Sequence, residues 1–429
     1  MKKESRTFEA RPAERIGTVE EYYFSRKLKE VAAMNAAGLD VINLGVGSPD
    51  LPPSGAAINT FIKEVQRPDV HGYQPYVGIP ALREAFAEWY KRWFGVALDP
   101  AKEIQPLIGS KEGILHISMA FLNEGDGVLV PNPGYPTYTS VSRLVGADIV
   151  QYMLDETRGW TPDFEAIEAA LEARAAKGLK PVKLMWANYP NMPTGADASD
   201  ELFHALVDFG RRHNIIICND NPYSFILNPR PRSILAVEGA KDCCIELNSM
   251  SKAHNMPGWR MAMLASNAQF VEWILRVKSN VDSGQFRPMQ TAVVEALKAG
   301  QEWYDAMNEV YRRRRDVAGK IMNALGCTFA PQQVGMFLWG RISDFRFRNL
   351  DLEFQNLDFR FQKGVTQEAL SPGQSLSEVL ADKVLHDAKV FITPGCIFGS
   401  TGDSYIRLSL CCKEDVLEKA LERIKKNIF

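Results

Sequence analysis

The chain has 429 residues, of which 46% are hydrophobic and 24% are charged, and its formal net charge is −2. A chain of this length is too long for one hydrophobic core, so we expect a globular protein of two domains. Its small net charge argues against a nucleic-acid partner. It has no run of about 18 apolar residues, which a membrane span would need. Seven cysteines without a CxxC pair, and a charged start without a secretory signal, predict no metal site and a reducing, cytoplasmic location.

The first third of the chain combines helices with glycine-containing turns. Helices are predicted at residues 18–38, 81–93 and 110–122. A short strand at residues 41–44 breaks into a turn whose glycines, including Gly47, allow backbone N–H groups to approach a ligand. Gly109, Ser110 and Lys111 open the third helix, and a helix N-terminus attracts anions. Ser110 would also be a good N-cap with nothing bound, so both interpretations stay open.

Strand-like apolar runs alternate with helices through the middle of the chain. The runs span residues 126–131, 147–154, 182–187, 215–218 and 243–247. Gly109, Tyr135, Asn191, Asp220 and Lys252 all fall at or close after the carboxyl end of a predicted strand. Because the carboxyl ends of parallel strands share one edge of an α/β sheet, we expect these residues to meet at a ligand site.

The last third holds a helix at residues 300–325 with four consecutive arginines, which we interpret as a solvated face. A helix at 376–388, an alternating strand at 404–410 and a terminal helix to residue 429 follow. Arg407 lies inside that strand and must either reach solvent or meet an anion, because an unpaired buried charge is costly. Residues 342–374 contain two near-duplicate heptads, and a mobile cover and an inert insertion are equally compatible with them.

The residue types at the predicted edge suit a phosphorylated pyridine aldehyde. Lys252 could hold it as an imine, and Asp220 could keep the ring nitrogen protonated so that the ring withdraws electrons. Asn191 and Tyr223 could hydrogen-bond the ring hydroxyl, and Tyr135 could stack on the ring face.

The remaining candidates suit the phosphate and the substrate. Residues that could hold the phosphate are Gly109, Ser110, Lys111, Ser249 and Arg260. Arg407 could take a substrate carboxylate through two parallel hydrogen bonds, assisted by the Gly47 backbone and by Asn191. Once released, Lys252 is a positioned base for moving a proton between the substrate Cα and the cofactor carbon.

Several motifs resemble, in order and spacing, the fold-type I pyridoxal-phosphate aminotransferases of classes I and II. These motifs are Pro190-Asn191-Met192-Pro193-Thr194-Gly195, Asp220-Asn221-Pro222-Tyr223, and Ser249-Met250-Ser251-Lys252 with Arg260. Residues 109–113 and 278–284 are most similar to the branch of alanine and LL-diaminopimelate aminotransferases. Asn221 departs from the family, which usually has an acid at that position.

The resemblance implies a fold, a domain division and a dimer. The expected fold is α/β: a large domain with a mostly parallel seven-stranded sheet between helices, and a smaller α+β domain. Residues 1–60 would form an N-terminal arm and part of the small domain, residues 61–305 the large domain, and residues 306–429 the rest of the small domain. The resemblance also implies a homodimer in which Tyr73 reaches the cofactor phosphate of the neighbouring subunit.

Three functions remain open at this point. The first is an aminotransferase that moves an amino group from an L-amino acid to a 2-oxo acid. The second is a carbon–sulfur β-lyase or cyclopropane-forming synthase on the same fold, since these enzymes share the lysine, aspartate and arginine. The third is a non-enzymatic regulator, for which the short N-terminal arm leaves no room for a DNA-binding domain. Tyr22, Tyr23 and Phe24 are candidates for the lining of the substrate side-chain pocket.

Overall fold

A computed structural model describes residues 10–343 and 375–428. Its α-helices are α1 (Tyr23–Ala36), α2 (Gly55–Val65), α3 (Pro80–Phe94), α4 (Ser110–Phe121), α5 (Pro136–Leu144), α6 (Phe164–Ala176), α7 (Asp200–His213), α8 (Ala268–Ser279), α9 (Arg287–Ala296), α10 (Gln301–Ala324), α11 (Leu376–Ala388) and α12 (Glu414–Asn427). Its strands are β1 (Ile42–Asn43), β2 (Ile104–Leu107), β3 (Gly127–Asn132), β4 (Asp148–Met153), β5 (Val182–Ala187), β6 (Ile216–Asp220), β7 (Cys244–Ser249), β8 (Ala262–Ala265), β9 (Cys327–Thr328), β10 (Phe337–Ile342), β11 (Val390–Phe391), β12 (Thr393–Pro394) and β13 (Tyr405–Ser409).

Seven strands form one mostly parallel sheet in the order β2-β8-β7-β6-β5-β3-β4, as the resemblance implied. Strands β3 to β7 pair in parallel with their neighbours, whereas β8 runs antiparallel to both β7 and β2. Strand β2 therefore runs in the same direction as β7, and its carboxyl end lies on the same edge. Strand β8 is not predicted from the sequence, because its four residues are too few for a periodic pattern.

Helices cover both faces of this sheet, which explains why β3, β7 and β8 are buried along their whole length. One face packs against α4, α5 and α8 through an apolar cluster that includes Ile117, Val141 and Ile274. The other face contributes to a larger cluster that also contains residues of α3, α6, α7 and α10, among them Phe86 and Phe203. The sheet is thus held rigidly between two apolar layers, and only its edges are available for a ligand.

The C-terminal strands form a second, antiparallel sheet in the order β12-β13-β10-β9. Strand β1, near the N-terminus, pairs in parallel with β11, so that Ile42 lies opposite Val390. This pairing places the glycine turn after β1 beside the C-terminal strands. The predicted heptads and most of the insertion at 342–374 lie outside the described residues.

Three local predictions need correction. Helix α1 begins at Tyr23 rather than at residue 18, because a short 3-10 helix, Glu14–Thr18, precedes it. The N-cap of α4 is Gly109, at φ 80°, and Ser110 is the first helical residue without a capping bond. Of the four arginines on α10, Arg314 is buried and pairs with Asp50 at 2.6 Å, so the run is not entirely a solvated face.

None of the helices in residues 10–343 and 375–428 combines the length and apolarity that crossing a membrane requires.

Candidate active site

A cavity of about 320 Å³ opens at the carboxyl edge of the large sheet. The predicted site residues that line it are Gly47, Ser110, Lys111, Tyr135, Asp220, Tyr223, Ser249, Lys252, Arg260 and Arg407. They come from seven separate parts of the chain, including the turn after β1, the start of α4, the ends of β6 and β7, and β13. The convergence expected from the strand ends is therefore present, and the second sheet adds Arg407 from the opposite side.

Three predicted site residues do not line the cavity. Gly109 lies immediately behind it, where a Cβ atom would fall 2.0 Å from Nη2 of Arg260. Asn191 is buried, and its Oδ1 accepts a hydrogen bond from Oγ1 of Thr194 at 2.7 Å. Tyr73 is 96% exposed in the single chain and lies away from the cavity. Gly109, at φ 80°, thus leaves the space that the Arg260 guanidinium occupies.

Lys252 lies in the loop that connects β7 to β8. Its Nζ donates a hydrogen bond to the backbone oxygen of Gly47 at 2.7 Å and lies 5.9 Å from the centre of the Tyr223 ring. Burial lowers the pKa of Lys252 to about 8, and the positive charges of Arg407 and Arg260 lower it as well. A useful fraction of this amine is therefore neutral near pH 7 and can act as a nucleophile or a base.

Asp220, the last residue of β6, is buried and accepts a hydrogen bond from the hydroxyl of Tyr138 at 2.9 Å. Burial raises the pKa of Asp220 to about 6, although the Tyr138 hydrogen bond and the charge of Lys252 oppose that shift. Tyr138 is not among the residues predicted from the sequence. Its position three residues after Tyr135, on the same face of a helix, is the only signal that could have suggested one.

Cationic and hydroxyl groups converge at the anion end of the cavity. Ser110 and Lys111 occupy the first turn of α4, where free backbone N–H groups and the helix dipole favour an anion. Burial lowers the pKa of Lys111, and the charge of Arg260 adds to that effect. Ser249 accepts a hydrogen bond from the backbone N–H of Ser251 at 3.1 Å. A doubly charged group such as a phosphate monoester would satisfy these donors together.

Arg407 projects from β13 and is 97% buried, since only 3% of its surface is exposed. Its guanidinium lies 4.0 Å from the ring centre of Phe337 and 4.8 Å from that of Phe398, and Nη2 donates to the oxygen of Gly45 at 2.8 Å. Burial lowers the pKa of Arg407 to about 10. It neither reaches solvent nor pairs with a carboxylate in the described chain, so a substrate carboxylate is the partner that fits.

The N-terminal segment forms an aromatic wall of the cavity. Tyr22 and Phe24 line it, as predicted, whereas Tyr23 packs into a separate apolar cluster with Val31 and Phe391. The ring of Tyr22 lies 4.9 Å from Nζ of Lys111. Further lining residues that the sequence analysis missed are Leu28, Val46, Ile114, Met192, Pro222, Ser251, Pro257, Phe337 and Phe398.

Buried polar atoms without partners test whether pyridoxal phosphate fits this cavity. Within the described residues, Ser110 Oγ, Asn191 Nδ2, Asp220 Oδ1 and Arg407 Nε are buried and lack a hydrogen-bond partner. Such atoms are costly unless a ligand or water satisfies them. A phosphate, a ring hydroxyl, a pyridine nitrogen and a substrate carboxylate are groups of the right chemistry for these four atoms. The cavity therefore fits this cofactor together with an amino acid.

Comparisons with known proteins agree with the geometry. Residues 39–424 match the family model described as aminotransferase class I and II. The LL-diaminopimelate aminotransferases of Nitratidesulfovibrio vulgaris and Desulforudis audaxviator are 38% and 39% identical to this chain over 415 residues, which are 96% of this chain and 98% and 97% of theirs. Substrate-bound BacF from Bacillus subtilis superposes with a TM-score of 0.84 at 32% identity and 98% coverage of both chains. A Thermus thermophilus aspartate aminotransferase mutant, with a TM-score of 0.82, 24% identity and coverage of 97% of this chain and 100% of its own, shows the shared fold alone.

Proposed function

This chain belongs to the class I and II aminotransferases, and from that membership we propose how its own residues perform the reaction. It is a pyridoxal-phosphate-dependent aminotransferase of amino acid metabolism that moves an amino group from an L-amino acid to a 2-oxo acid. Its full-length relatives support this activity and not the carbon–sulfur β-lyase alternative. We base the residue assignment on one observation: Lys252, Asp220 and Arg407 line the same cavity.

The cofactor is held at three places in this proposal. Ser110 and Lys111 at the start of α4, together with Ser249 and Arg260, would hold its phosphate. Asp220 would pair with its ring nitrogen, Asn191 and Tyr223 would hydrogen-bond its ring hydroxyl, and Tyr135 would pack on the ring face. When bound, pyridoxal phosphate supplies an aldehyde for the amino group and a ring that withdraws electrons from the substrate Cα.

The protein residues bind the substrate and move its proton. Arg407 binds the α-carboxylate, and its place between two aromatic rings fixes the direction in which the carboxylate enters. Lys252, with its lowered pKa of about 8, would take the proton from the substrate Cα as a neutral amine and, as an ammonium group, would deliver it to the carbon of the cofactor aldehyde group. The buried carboxylate of Asp220 would keep the ring nitrogen protonated.

Mass spectrometry tests the assignment of Lys252. Borohydride reduction of the cofactor-loaded protein should add the cofactor mass to the peptide that contains Lys252 and leave the Lys111 peptide unmodified. The Lys252→Ala variant is the control and should gain no mass, because it lacks the amine to which this proposal assigns the cofactor aldehyde. A wild-type adduct on any other lysine would overturn the assignment.

We further propose LL-diaminopimelate as an amino donor. The support comes from the relatives, because eight proteins of that name are 35–39% identical to this chain over at least 414 residues. Added without an oxo acid, LL-diaminopimelate should bleach the visible absorbance of the loaded protein. L-alanine, L-phenylalanine and DD-diaminopimelate serve as comparisons. Faster bleaching by another of these amino acids would displace LL-diaminopimelate as the preferred donor.

We also propose that the active protein is a homodimer with shared sites. The support is Tyr73, which is 96% exposed and makes no contribution to the cavity of its own chain. Mixing inactive Tyr73→Ala and Lys252→Ala chains should restore activity, because a mixed dimer with shared sites contains one intact site. If each chain served its own site, the mixture would stay inactive, and sedimentation would report whether mixed dimers had formed.

The proposed domain division and location rest on simpler observations. The large sheet uses only strands between Ile104 and Ala265, and the second sheet lies between Cys327 and Ser409. These ranges support a large domain of residues 61–305, and the pairing of β1 with β11 supports joining the N-terminal residues to the small domain. All seven cysteines are free, which supports a reducing, cytoplasmic location.

A further inference from the structure

A buried lysine at the end of α8 lies between two carboxylates. Nζ of Lys278 donates hydrogen bonds to Oε1 of Glu112 at 2.9 Å and to both oxygens of Asp282 at 2.7 and 2.8 Å. Only 1% of the Lys278 side chain is exposed, and the two carboxylates are 15% and 16% exposed. Burying these charges has a desolvation cost. The reaction described above does not use them, so their contacts point to another role.

Glu112 connects this cluster to the start of α4. One of its oxygens accepts the backbone N–H of Ile108, and the other meets Nε2 of His116 at 2.6 Å as well as Lys278. The same carboxylate is therefore bound to the residue before Gly109 and to His116, one helical turn after Glu112. This arrangement fixes the loop that presents Ser110 and Lys111 to the cavity.

The cluster is not a metal site, although its groups suggest one. Ligand atoms of Glu112, His116 and Asp282 all lie within 4.8 Å of one another. The ammonium of Lys278 already contacts both carboxylates and supplies the positive charge that a cation would bring. The lysine thus makes the cluster a structural one that belongs to the protein itself.

Gln285, a few residues further along, joins two other parts of the site. Its Nε2 donates to the backbone oxygens of Leu107, at the end of β2, and of Arg260, just before β8, both at 2.9 Å. The residue is 9% exposed, so these bonds are shielded from water. They set the position of the Arg260 backbone relative to the strand that leads into Gly109.

Gly284 contacts the segment that carries Tyr73. It forms an antiparallel bridge with Gln74, and a Cβ atom at Gly284 would lie 2.3 Å from the backbone oxygen of Gln74. No side chain fits between the two segments, so the backbone beside the exposed Tyr73 rests directly on Gly284. Residues 278–285 therefore touch the start of α4, Arg260 and the Tyr73 segment.

We propose that residues 278–285 are a positioning element for the cofactor phosphate, with Lys278 and Gln285 as its positioning residues. The element sets the start of α4 and Arg260 at the separation that a phosphate requires, and it supports the tyrosine offered to the other subunit. This inference rests on the phosphate contacts assigned under the proposed function. Neither residue touches the cofactor, so its effect is transmitted through hydrogen bonds to residues that do.

Comparing two cofactor forms tests this role. Pyridoxal phosphate and pyridoxal, which lacks the phosphate, are titrated into the full-length chain freed of cofactor, and both affinities are measured by fluorescence. Lys278→Met should weaken the binding of pyridoxal phosphate by about tenfold or more, as expected for the loss of a charged hydrogen bond, and leave pyridoxal binding unchanged. The affinity ratio of the two forms is the readout, because a general loss of stability would weaken both alike.

Arg174→Met is a matched control. Arg174 is 7% exposed, pairs with Asp148 at 2.5 Å and donates to the oxygen of Gly125 at 3.1 Å, at the opposite edge of the large sheet. Its replacement removes a buried cation without touching the phosphate residues, so the affinity ratio should stay at the wild-type value. If Lys278→Met does not fold, Gln285→Met provides the same comparison.

The outcomes separate this inference from the one on which it depends. A wild-type chain that binds both forms equally would show that the proposed phosphate contacts are wrong. A wild-type chain that prefers the phosphorylated form, together with an unchanged ratio in Lys278→Met and Gln285→Met, would overturn the positioning role alone. If Arg174→Met lowers the ratio of pyridoxal phosphate affinity to pyridoxal affinity as much as Lys278→Met does, the positioning role would also be overturned.

Discussion

Replacing Tyr138 by phenylalanine should change how pH controls cofactor binding. The Tyr138 hydroxyl donates the one hydrogen bond that the described chain gives to the Asp220 carboxylate, at 2.9 Å. A hydrogen bond to a charged group contributes about 1.5–3 kcal/mol, which corresponds to about one to two pKa units. Because this bond favours the charged form, its loss should raise the pKa of Asp220 from about 6 to between about 7 and 8.

The consequence follows from the ionised fraction of Asp220. At pH 7 that fraction should fall from about nine tenths to between about one half and one tenth. An aspartate pairs with a protonated ring nitrogen only when ionised, so the affinity for pyridoxal phosphate at pH 7 should fall by roughly two- to ninefold. As the pH rises through the new pKa the carboxylate is recovered, and by pH 9 the variant should approach the wild-type affinity.

The assay is the dissociation constant of pyridoxal phosphate, measured from pH 5.5 to pH 9 on the wild-type protein and the variant. Tyr152→Phe is the control, since Tyr152 is also a buried tyrosine and donates to the backbone oxygen of Trp186 at 2.7 Å rather than to a carboxylate. The reasoning is refuted if the Tyr138→Phe profile coincides with that of the wild type, or if Tyr152→Phe shifts it equally.

Three further predictions concern the same cavity. Arg407→Ala should raise KM for amino acids by an amount equivalent to about 2–5 kcal/mol, as expected for one lost partner of a desolvated pair, without changing cofactor affinity; unchanged steady-state kinetics would make Arg407 a packing residue. Asp220→Asn should abolish turnover yet stabilise the cofactor-free protein at pH 7 by up to about 3 kcal/mol. Folding raises the pKa of Asp220 from 3.8 to about 6, so the wild-type protein loses stability as the pH rises through that range, and the variant does not. Equal urea midpoints for both proteins at pH 7 would contradict this. Gly109→Ala should lose cofactor affinity, because its Cβ would meet the side chain of Arg260. Gly38 is also at positive φ but has open space around it, so Gly38→Ala should lose only about 1–2 kcal/mol of stability and keep its cofactor affinity. Fluorescence titration of both variants with the cofactor checks the difference.

Most of the sheet could be predicted from the sequence because its strands are long apolar runs. The prediction for β5, residues 182–187, and the one for α11, residues 376–388, match the structure at both ends. The candidate site followed from a physical rule rather than from any one residue: parallel strands end at a common edge, so polar residues at Asp220 and Lys252 had to meet.

The missed features share one physical cause, since they depend on contacts between distant parts of the chain. Tyr138 and Asp220 are 82 residues apart, and only the order of the strands places α5 over the end of β6. Lys278 reads as a surface lysine of an amphipathic helix until its partner Glu112, 166 residues away, is known. Strand β8 is too short to leave a periodic signal and exists because β2 and β7 flank it.

The pairing of β1 with β11 has a consequence for synthesis on the ribosome. Ile42 cannot find its partner, Val390, until about nine tenths of the chain has been made. The turn after β1 supplies the oxygens of Gly45 and Gly47, which bind Arg407 and Lys252, and both contacts must therefore wait for this pairing. Until the C-terminal strands are made, the cavity around Lys252 therefore lacks the side chains of Phe398 and Arg407. A truncated chain lacking about its last forty residues would keep Lys252 and lose Phe398 and Arg407 from the lining of its cavity.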